Sequence, residues 1–314
     1  MDKVTIFGAG HVGATTAFYL ALSASLELAL VDVAEGRALA LALDIEQSLP
    51  YTGSRCRVEG GGDPGLVEGS DLVMITAGYP REPGMSRSDL TARNAPVVAS
   101  IAREVARSAP GAVVIVVTNP VDEMTYLARE AGGFEDRRVM GMAGVLDTSR
   151  FLYFLDRMGS LRPDEVRALV LGSHGDEMVP LTEWSRAGEE PLSETLDKDL
   201  LALCVERTRD AGAEIVGHMR TGSAYFAPAV SLGIMALAIL GDTGRILPVS
   251  TFLLGEYGID GVFLGVPARL GRGGVQEVIE LELSGQERTS LSLAAENVRE
   301  RISVLGAVLN DEDA

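Results

Sequence analysis

Three histidines, His11, His174 and His218, are the only imidazoles in the 314 residues. Imidazole is the side chain whose ordinary pKa lets it exchange a proton near neutral pH, so the setting of each one matters. His218 falls in AGAEIVGHMRTG, a helical stretch where packing or surface exposure is the commoner fate. His11 sits inside a glycine loop, nearer a bound ligand than to any chemistry. His174 ends the run VRALVLGSHG and is followed by Gly175 and Asp176, which reads as the exit of a strand. Ligands of open α/β sheets gather at such ends. A neutral imidazole there could take the proton of a hydroxyl, and a buried carboxylate would hold its tautomer and stabilise the imidazolium. The segment LDTSR offers Asp147, with Arg150 three residues on and on the same helix face. The two can point into one cleft, Asp147 toward His174 and Arg150 toward a carboxylate. A helix-surface ion pair satisfies the same spacing, and spacing alone does not choose between them.

Two more arginines stand in GYPREPGMSRSDL, residues Gly78 to Leu90. Pro80, Pro83 and Gly84 keep this stretch out of a helix and allow it to swing as a lid. Arg81 and Arg87 would ride on it. A solvated loop is the plainer explanation, but the composition makes the arginines informative. The net charge is −18, with 27 Lys and Arg against 45 Asp and Glu. All but two of the basic residues, Lys3 and Lys198, are arginine. Such a balance argues against nucleic acid or an anionic membrane as partner, because both need a basic face. It also predicts that salt, by screening self-repulsion, stabilises the fold.

GAGHVG places Gly8, Gly10 and Gly13 in G-x-G-x-x-G spacing between an apolar strand-like run and a helical one. This is the arrangement that brings a pyrophosphate against a helix N-terminus. Asp32 follows Gly13 by 19 residues at the end of the next apolar run. A carboxylate there accepts hydrogen bonds from a ribose 2′-hydroxyl and repels a 2′-phosphate, which favours NAD over NADP.

These residues need elements to hold them. Six apolar runs, 4–10, 27–33, 56–60, 72–78, 113–120 and 138–144, alternate with helical stretches at 12–23, 36–49, 89–108 and 121–130. Strands alternating with helices of this length predict βαβ units and a doubly wound parallel sheet of the Rossmann type, α/β in class. Past residue 144 the rhythm changes. A helix over 145–158, a strand over 166–175, helices over 196–219 and 222–240, strands in PVSTFLLGEYG and VQEVIELEL with a glycine-rich turn between them, and a closing helix from Ser284 predict a mixed α+β domain. Ser284 and Glu287 form a capping box. The expected division is 1–143 and 144–314, with tight packing between the parts. Cys56 and Cys204 show no metal or disulfide spacing. No apolar run is long enough to span a bilayer, and MDKVTIFGAG lacks the pattern of a signal peptide, so a cytoplasmic location is expected.

The series GAGHVG, Asp32, TAG, a loop with two arginines, TNP, LDTSR and GSHGDEMVPL occurs in one order over nearly the whole chain. It resembles the L-lactate and malate dehydrogenases. MRTGSAYFAPA and GVPARLGRGGVQEVIELELSGQE look most like the lactate-dehydrogenase-like malate dehydrogenase branch. The resemblance implies that His174 accepts the proton when a hydroxy acid is oxidised and that Asp147 orients it. It implies that Arg150 forks onto the C1 carboxylate, that Arg87 polarises the carbonyl oxygen, and that Asn119 touches substrate and cofactor, with Asn119–Pro120 suited to a cis bond. Gly8, Ala9, Gly10, His11, Val12, Gly13, Asp32, Thr76, Ala77, Gly78, Asn94 and Val117 would line the cleft for NAD. The family separates its substrates at the loop position held here by Arg81. An arginine there implies a second carboxylate, as in malate and oxaloacetate, with another 2-hydroxy acid such as L-lactate as the alternative. A non-catalytic NAD-binding protein would have no need of the whole set. Family members form dimers and this branch often tetramers. The apolar character of GRALALALDIEQSLP on more than one face fits an oligomer, with a tetramer expected.

Overall fold

Leu72–Ile75 and Val113–Val116 are buried at every position, the signature of parallel strands covered on both faces. In a computed structural model, which describes residues 1–80, 84–303 and 305, they form the middle of one large sheet. The first half runs β1 (Lys3–Phe7), α1 (His11–Ser23), β2 (Glu27–Val31), α2 (Glu35–Ser48), β3 (Arg57–Gly61), β4 (Leu72–Ile75), α3 (Arg87–Ser108), β5 (Val113–Val116), α4 (Val121–Gly132) and β6 (Val139–Gly141). The parallel order is β3-β2-β1-β4-β5-β6. Strand order therefore reverses between β1 and β4, the switch point beside which ligands bind in such folds.

Side-chain alternation builds two cores from these strands. Val4, Ile6, Leu72 and Met74 pack with α1, α2 and the later helix over 226–240, while Val73, Ile75, Val114 and Val116 pack with α3 and α4 on the other face. The second half continues with α5 (Gly144–Gly159), β7 (Val166–Arg167), β8 (Val170–Gly172), β9 (Met178–Pro180), β10 (Arg186–Ala187) and β11 (Glu190–Pro191). After these come α6 (Leu192–Thr195), α7 (Lys198–Met219), α8 (Phe226–Leu240), β12 (Ile246–Leu254), β13 (Asp260–Gly271), β14 (Gly274–Val278) and α9 (Gly285–Ser303). The sheet runs on without a break as β6-β12-β13-β8-β9, now antiparallel. The small sheet β11-β10-β7 stands apart.

Three expectations are corrected. Five of the six parallel strands, all but β3, end earlier than the apolar runs suggest, because residues such as 8–10, 76–78 and 117–120 leave the sheet to form the loops at its carboxyl edge. Residues 166–175 make two short strands, not one. The stretch between PVSTFLLGEYG and VQEVIELEL is no simple turn: it holds β13, the longest strand. Gly261, Gly265, Gly271 and Pro267 disguise it. Gly265 lies so close to Gly172 of β8 that a Cβ would sit 2.5 Å from the Gly172 carbonyl oxygen. Pro267 stands opposite Pro248, so two missing N–H donors fall on one rung of the ladder. The closing helix has its predicted capping box: Ser284 N–H donates to Glu287 Oε2 (2.9 Å) and Glu287 N–H to Ser284 Oγ (3.3 Å). The last residues of that predicted helix, 306–309, lie outside the described residues. Cys56 and Cys204 are buried and unpaired. Among the described residues no helix is long and apolar enough to cross a membrane.

Candidate active site

The glycine loop shows why each glycine is there. Gly8 has φ +102°, and a Cβ on it would meet the Ala77 nitrogen at 2.6 Å. A Cβ on Gly13 would stand 1.9 Å from the Gly8 carbonyl oxygen. Gly8 is demanded by the close approach of the loop after β4, and Gly13 by packing within the turn. Gly10, the N-cap of α1, has nothing within 4 Å of such a Cβ. Its bareness keeps a space open over the helix N-terminus, where a pyrophosphate fits. His11 begins α1, exposed, with its ring 5.0 Å from that of Tyr225. Val12 is partly buried beside it.

Asp32 closes the loop from β2. Its Oδ2 accepts from the Ala9 N–H (2.7 Å) and its Oδ1 from the Ala34 N–H (2.9 Å). Two oxygens held this way keep outward lone pairs for ribose hydroxyls. Thr76 ties β4 to the loop by donating to Phe7 and Gly8 carbonyls (3.0 and 2.9 Å). Ala77 is fixed by Thr118, whose hydroxyl donates to its carbonyl (2.7 Å). Gly78 approaches Thr118 so closely that a Cβ would lie 2.6 Å from its methyl. Val117 is partly exposed at the same edge. The cleft thus fits NAD: a cradle without side chains at Gly10 and a carboxylate at the ribose position.

Asn94 does more than line a cleft. It is fully buried on α3, and its amide reaches both flanks of the site. It accepts from the Tyr79 N–H (2.7 Å) and donates to the carbonyls of Tyr79 (3.2 Å) and Asn119 (2.7 Å). One end of the 78–90 loop is therefore anchored to the Asn119–Pro120 segment, whose peptide bond is cis. The other end is anchored by a capping box, Ser86 with Asp89, at the start of α3. Arg87 is the first residue of that helix. Arg81 lies outside the described residues.

His174 emerges from β8 at the sheet's carboxyl edge and meets Asp147 of α5, Nδ1 to Oδ2, at 2.8 Å. Asp147 is 2% exposed and Arg150 13%. The spacing that left these two ambiguous is resolved: they are buried together in one cleft, with Arg150 Nη1 3.6 Å from Asp147 Oδ1. Burial alone would lower the His174 pKa, but the Asp147 carboxylate, by charge and hydrogen bond, outweighs it and the net shift is upward. Burial pulls the Arg150 pKa down, with Asp147 opposing. With Nδ1 committed to Asp147, the opposite ring nitrogen is the one placed to exchange a proton.

Sequence reasoning missed the next layer of charge. Asp122 and Glu123, just past the cis bond, are each 1% exposed. Burial and the neighbouring Glu123 push the Asp122 pKa up to about 6, with the hydroxyls of Ser250 and Ser173 and the charge of His174 opposing. Ser250 Oγ donates to Asp122 Oδ1 at 2.6 Å. Glu123 accepts from Arg301 of α9. Adjacent acids at a helix start read as surface N-terminal charges in sequence. Only the fold shows that α9 and β12 cover them.

The arrangement is that of a nucleotide-dependent acid–base enzyme: a cradle at the switch point of the parallel sheet, with a carboxylate-held imidazole and a buried arginine across from it. Two family models match the chain, the lactate/malate dehydrogenase NAD binding domain over residues 2–141 and the lactate/malate dehydrogenase alpha/beta C-terminal domain over residues 144–307. The chain belongs to the lactate/malate dehydrogenase family. It is 46% identical over 303 residues to a malate dehydrogenase of Thermomicrobium roseum, covering 96% of this chain and 98% of that one. The malate dehydrogenase structure from Salinibacter ruber matches at 43% identity with a TM-score of 0.92, covering 99% of this chain and all of that one (100%). A Cryptosporidium parvum lactate dehydrogenase complexed with lactic acid and NAD matches at 36% identity and TM-score 0.94, covering 97% and 98%.

Proposed function

We propose that this protein is an NAD-dependent malate dehydrogenase, moving a hydride reversibly between (S)-malate and NAD+ to give oxaloacetate and NADH. The observation that carries the acid–base part is the 2.8 Å contact of His174 with Asp147, with Arg150 buried alongside. In malate oxidation, His174 takes the hydroxyl proton on Nε2, and Asp147 steadies the imidazolium. Arg150 forks onto the C1 carboxylate, where bidentate geometry fixes the orientation of C2. Arg87 faces the C2 oxygen and stabilises the charge that develops on it during reduction. Asn119, exposed at the cleft edge beside Asn94, touches substrate and cofactor. Gly8 through Gly13 with Asp32 would hold NAD+, which when bound would supply the acceptor for the C2 hydride.

Arg81 supplies the choice of substrate. Closing a dry site over the second carboxylate of malate without a partner would strand a charge at a cost of about 3–5 kcal/mol. Arg81 facing a methyl would be stranded in turn, so the preference is enforced from both sides. NADH oxidation measured with oxaloacetate beside pyruvate, on the wild type and on Arg81→Gln, tests this. Oxaloacetate should be the better substrate of the wild type. The variant should lose at least about tenfold in kcat/KM for oxaloacetate, a barrier change of about 1.4 kcal/mol, and gain on pyruvate. An unchanged oxaloacetate value would remove Arg81 from this role.

The same proposal includes a homotetramer and a need for salt. Its supports are Leu39 and Leu43 of α2, 49% and 58% exposed on the single chain, and the net charge of −18. The buried thiols Cys56 and Cys204, which form no disulfide, suit a cytoplasmic enzyme of dicarboxylate metabolism, one that would serve the tricarboxylic acid cycle.

A further inference from the structure

Glu177 stands three residues past His174 and has no part in the chemistry above. Its carboxylate is gripped from α9. Arg301 donates from Nη1 to Oε1 (3.0 Å) and from Nη2 to Oε2 (2.9 Å), and Asn297 Nδ2 donates to Oε1 (2.9 Å). Arg301 is itself held by the buried Glu123 of α4 and reaches Ser173 Oγ at 3.3 Å. On its other side Glu177 faces the start of α3: Oε2 lies 3.9 Å from Arg87 Nη1. Arg87 Nη2 in turn lies over Gly175, 3.1 Å from where a Cβ would stand. Charges alternate along the chain Glu123, Arg301, Glu177, Arg87, and the chain ends over Gly175, the residue after His174.

This differs from an ordinary surface pair. Two long side chains that must order each other lose in entropy much of what they gain in attraction. Here Arg301 and Asn297 have already ordered Glu177, so only Arg87 has freedom to lose. At 3.9 Å the contact is one of charge and not a hydrogen bond, so it uses none of the donors Arg87 would offer a substrate oxygen. Gly175 leaves the room the guanidinium occupies.

We infer that Glu177 is a positioning residue: braced by Arg301 and Asn297 of α9, it holds the Arg87 guanidinium over Gly175, the residue after His174, so α9 sets where the charge at the start of α3 lies. This rests on the dehydrogenase reading, in which Arg87 meets the C2 oxygen.

The test is oxaloacetate reduction by NADH over a pH series, with Glu177→Gln, Arg87→Gln, the double variant and Arg301→Lys, and a melting curve for each. Glu177→Gln keeps acceptor and donor atoms near Arg301 but drops the charge. It should lower kcat about tenfold with a much smaller change in KM, as misplacement of a transition-state group does. The pH midpoint should stay put, since Glu177 is not among the charges acting on His174. The double variant should be no slower than Arg87→Gln alone, because the effect passes through Arg87. Arg301→Lys, which loses the fork and keeps the charge, should show a smaller loss that also vanishes in the Arg87→Gln background. A folded Glu177→Gln with wild-type kcat, or losses that multiply in the double variant, overturns the inference. If Glu177→Gln does not fold, Arg301→Lys decides by the same comparison. A folded wild type without oxaloacetate turnover overturns the function itself, and this inference with it.

Discussion

Asp147 treats its two oxygens differently. Oδ2 is bound to His174 Nδ1 at 2.8 Å, while Oδ1 is buried without a hydrogen-bond donor among the described residues, 3.6 Å from Arg150 Nη1. A buried carboxylate oxygen so poorly satisfied is costly, and it is kept at the point where imidazole and guanidinium meet. The carboxylate thereby couples the imidazole proposed as proton acceptor to the guanidinium proposed to fix the substrate.

Replacing Asp147 by Asn keeps the shape and removes the charge. The expected loss in kcat is on the order of 10²–10⁴, the range for disabling a positioned acid–base group. The pH profile adds a sign. The folded His174 pKa lies above the ordinary 6.5, so the imidazolium that the proposed mechanism uses in oxaloacetate reduction survives to higher pH than a free histidine would allow. Stability from this charge is fully present below 6.5 and is lost as pH rises through the folded pKa. Reductive kcat/KM should therefore fall at a midpoint above 6.5 in the wild type, and Asp147→Asn should move that midpoint down. Steady-state rates between pH 5 and 9 check both; an unmoved midpoint would detach Asp147 from the titration.

Asp122 makes the opposite demand on stability. Its pKa is raised from 3.8 to about 6, so the folded state prefers it protonated. That preference is fully present below 3.8 and is lost as pH rises through 6, leaving a penalty of roughly 3 kcal/mol at neutral pH at about 1.4 kcal/mol per unit. Asp122→Asn, which can still accept from Ser250, should raise the melting temperature more at pH 8 than at pH 5. Calorimetry at the two pH values gives the answer. Equal shifts, or a loss at pH 8, would mean that Asp122 is ionised and well served by His174 and its hydroxyl partners.

The parallel half of the fold was legible because its strands, β3 apart, are largely apolar runs and its loops are marked by glycines. What hid the rest is physical. β13 is written in glycine and proline because β8 and β12 crowd it, and those residues also spell turns. In the site, the order of GAGHVG, LDTSR and GSHG pointed to the groups that are proposed to act on a ligand. Asn94, Asp122, Glu177 and Arg301 act through partners distant in sequence, 124 residues apart for Arg301 and Glu177, and no local spacing announces them. The ambiguity at Asp147 and Arg150 was likewise a question of burial, which only the packing of α5 against β8 and α7 could answer.

Asp32 has two duties, and they can be separated. Its Oδ2 braces the glycine loop through Ala9, and its outward face is proposed to select the ribose. Asp32→Ser keeps a short acceptor and removes the charge that repels a 2′-phosphate. The ratio of kcat/KM for NADH over NADPH should fall by about tenfold or more, with most of the change in cofactor KM. Rates with the two cofactors at fixed oxaloacetate measure it. A ratio that stays at the wild-type value would show that cofactor choice is made elsewhere.

Leu43 bears on assembly and salt together. It is 58% exposed on α2, next to the buried Ala42, so a glutamate there would disturb little in a lone chain. If α2 is an interface between copies, Leu43→Glu adds a charge of the sign this surface already carries in excess. Close like charges should then weaken association, most at low ionic strength, where screening extends over about 30 Å at 0.01 M against 3 Å at 1 M. Light scattering coupled to size exclusion should find a tetramer for the wild type and smaller species for the variant at low KCl, with partial recovery at molar KCl. Melting temperatures of the wild type should rise over the same series. A variant with unchanged mass at every salt concentration would place the interface away from α2, and a wild-type melting point indifferent to KCl would mean that the acidic, arginine-rich surface is not an adaptation to salt.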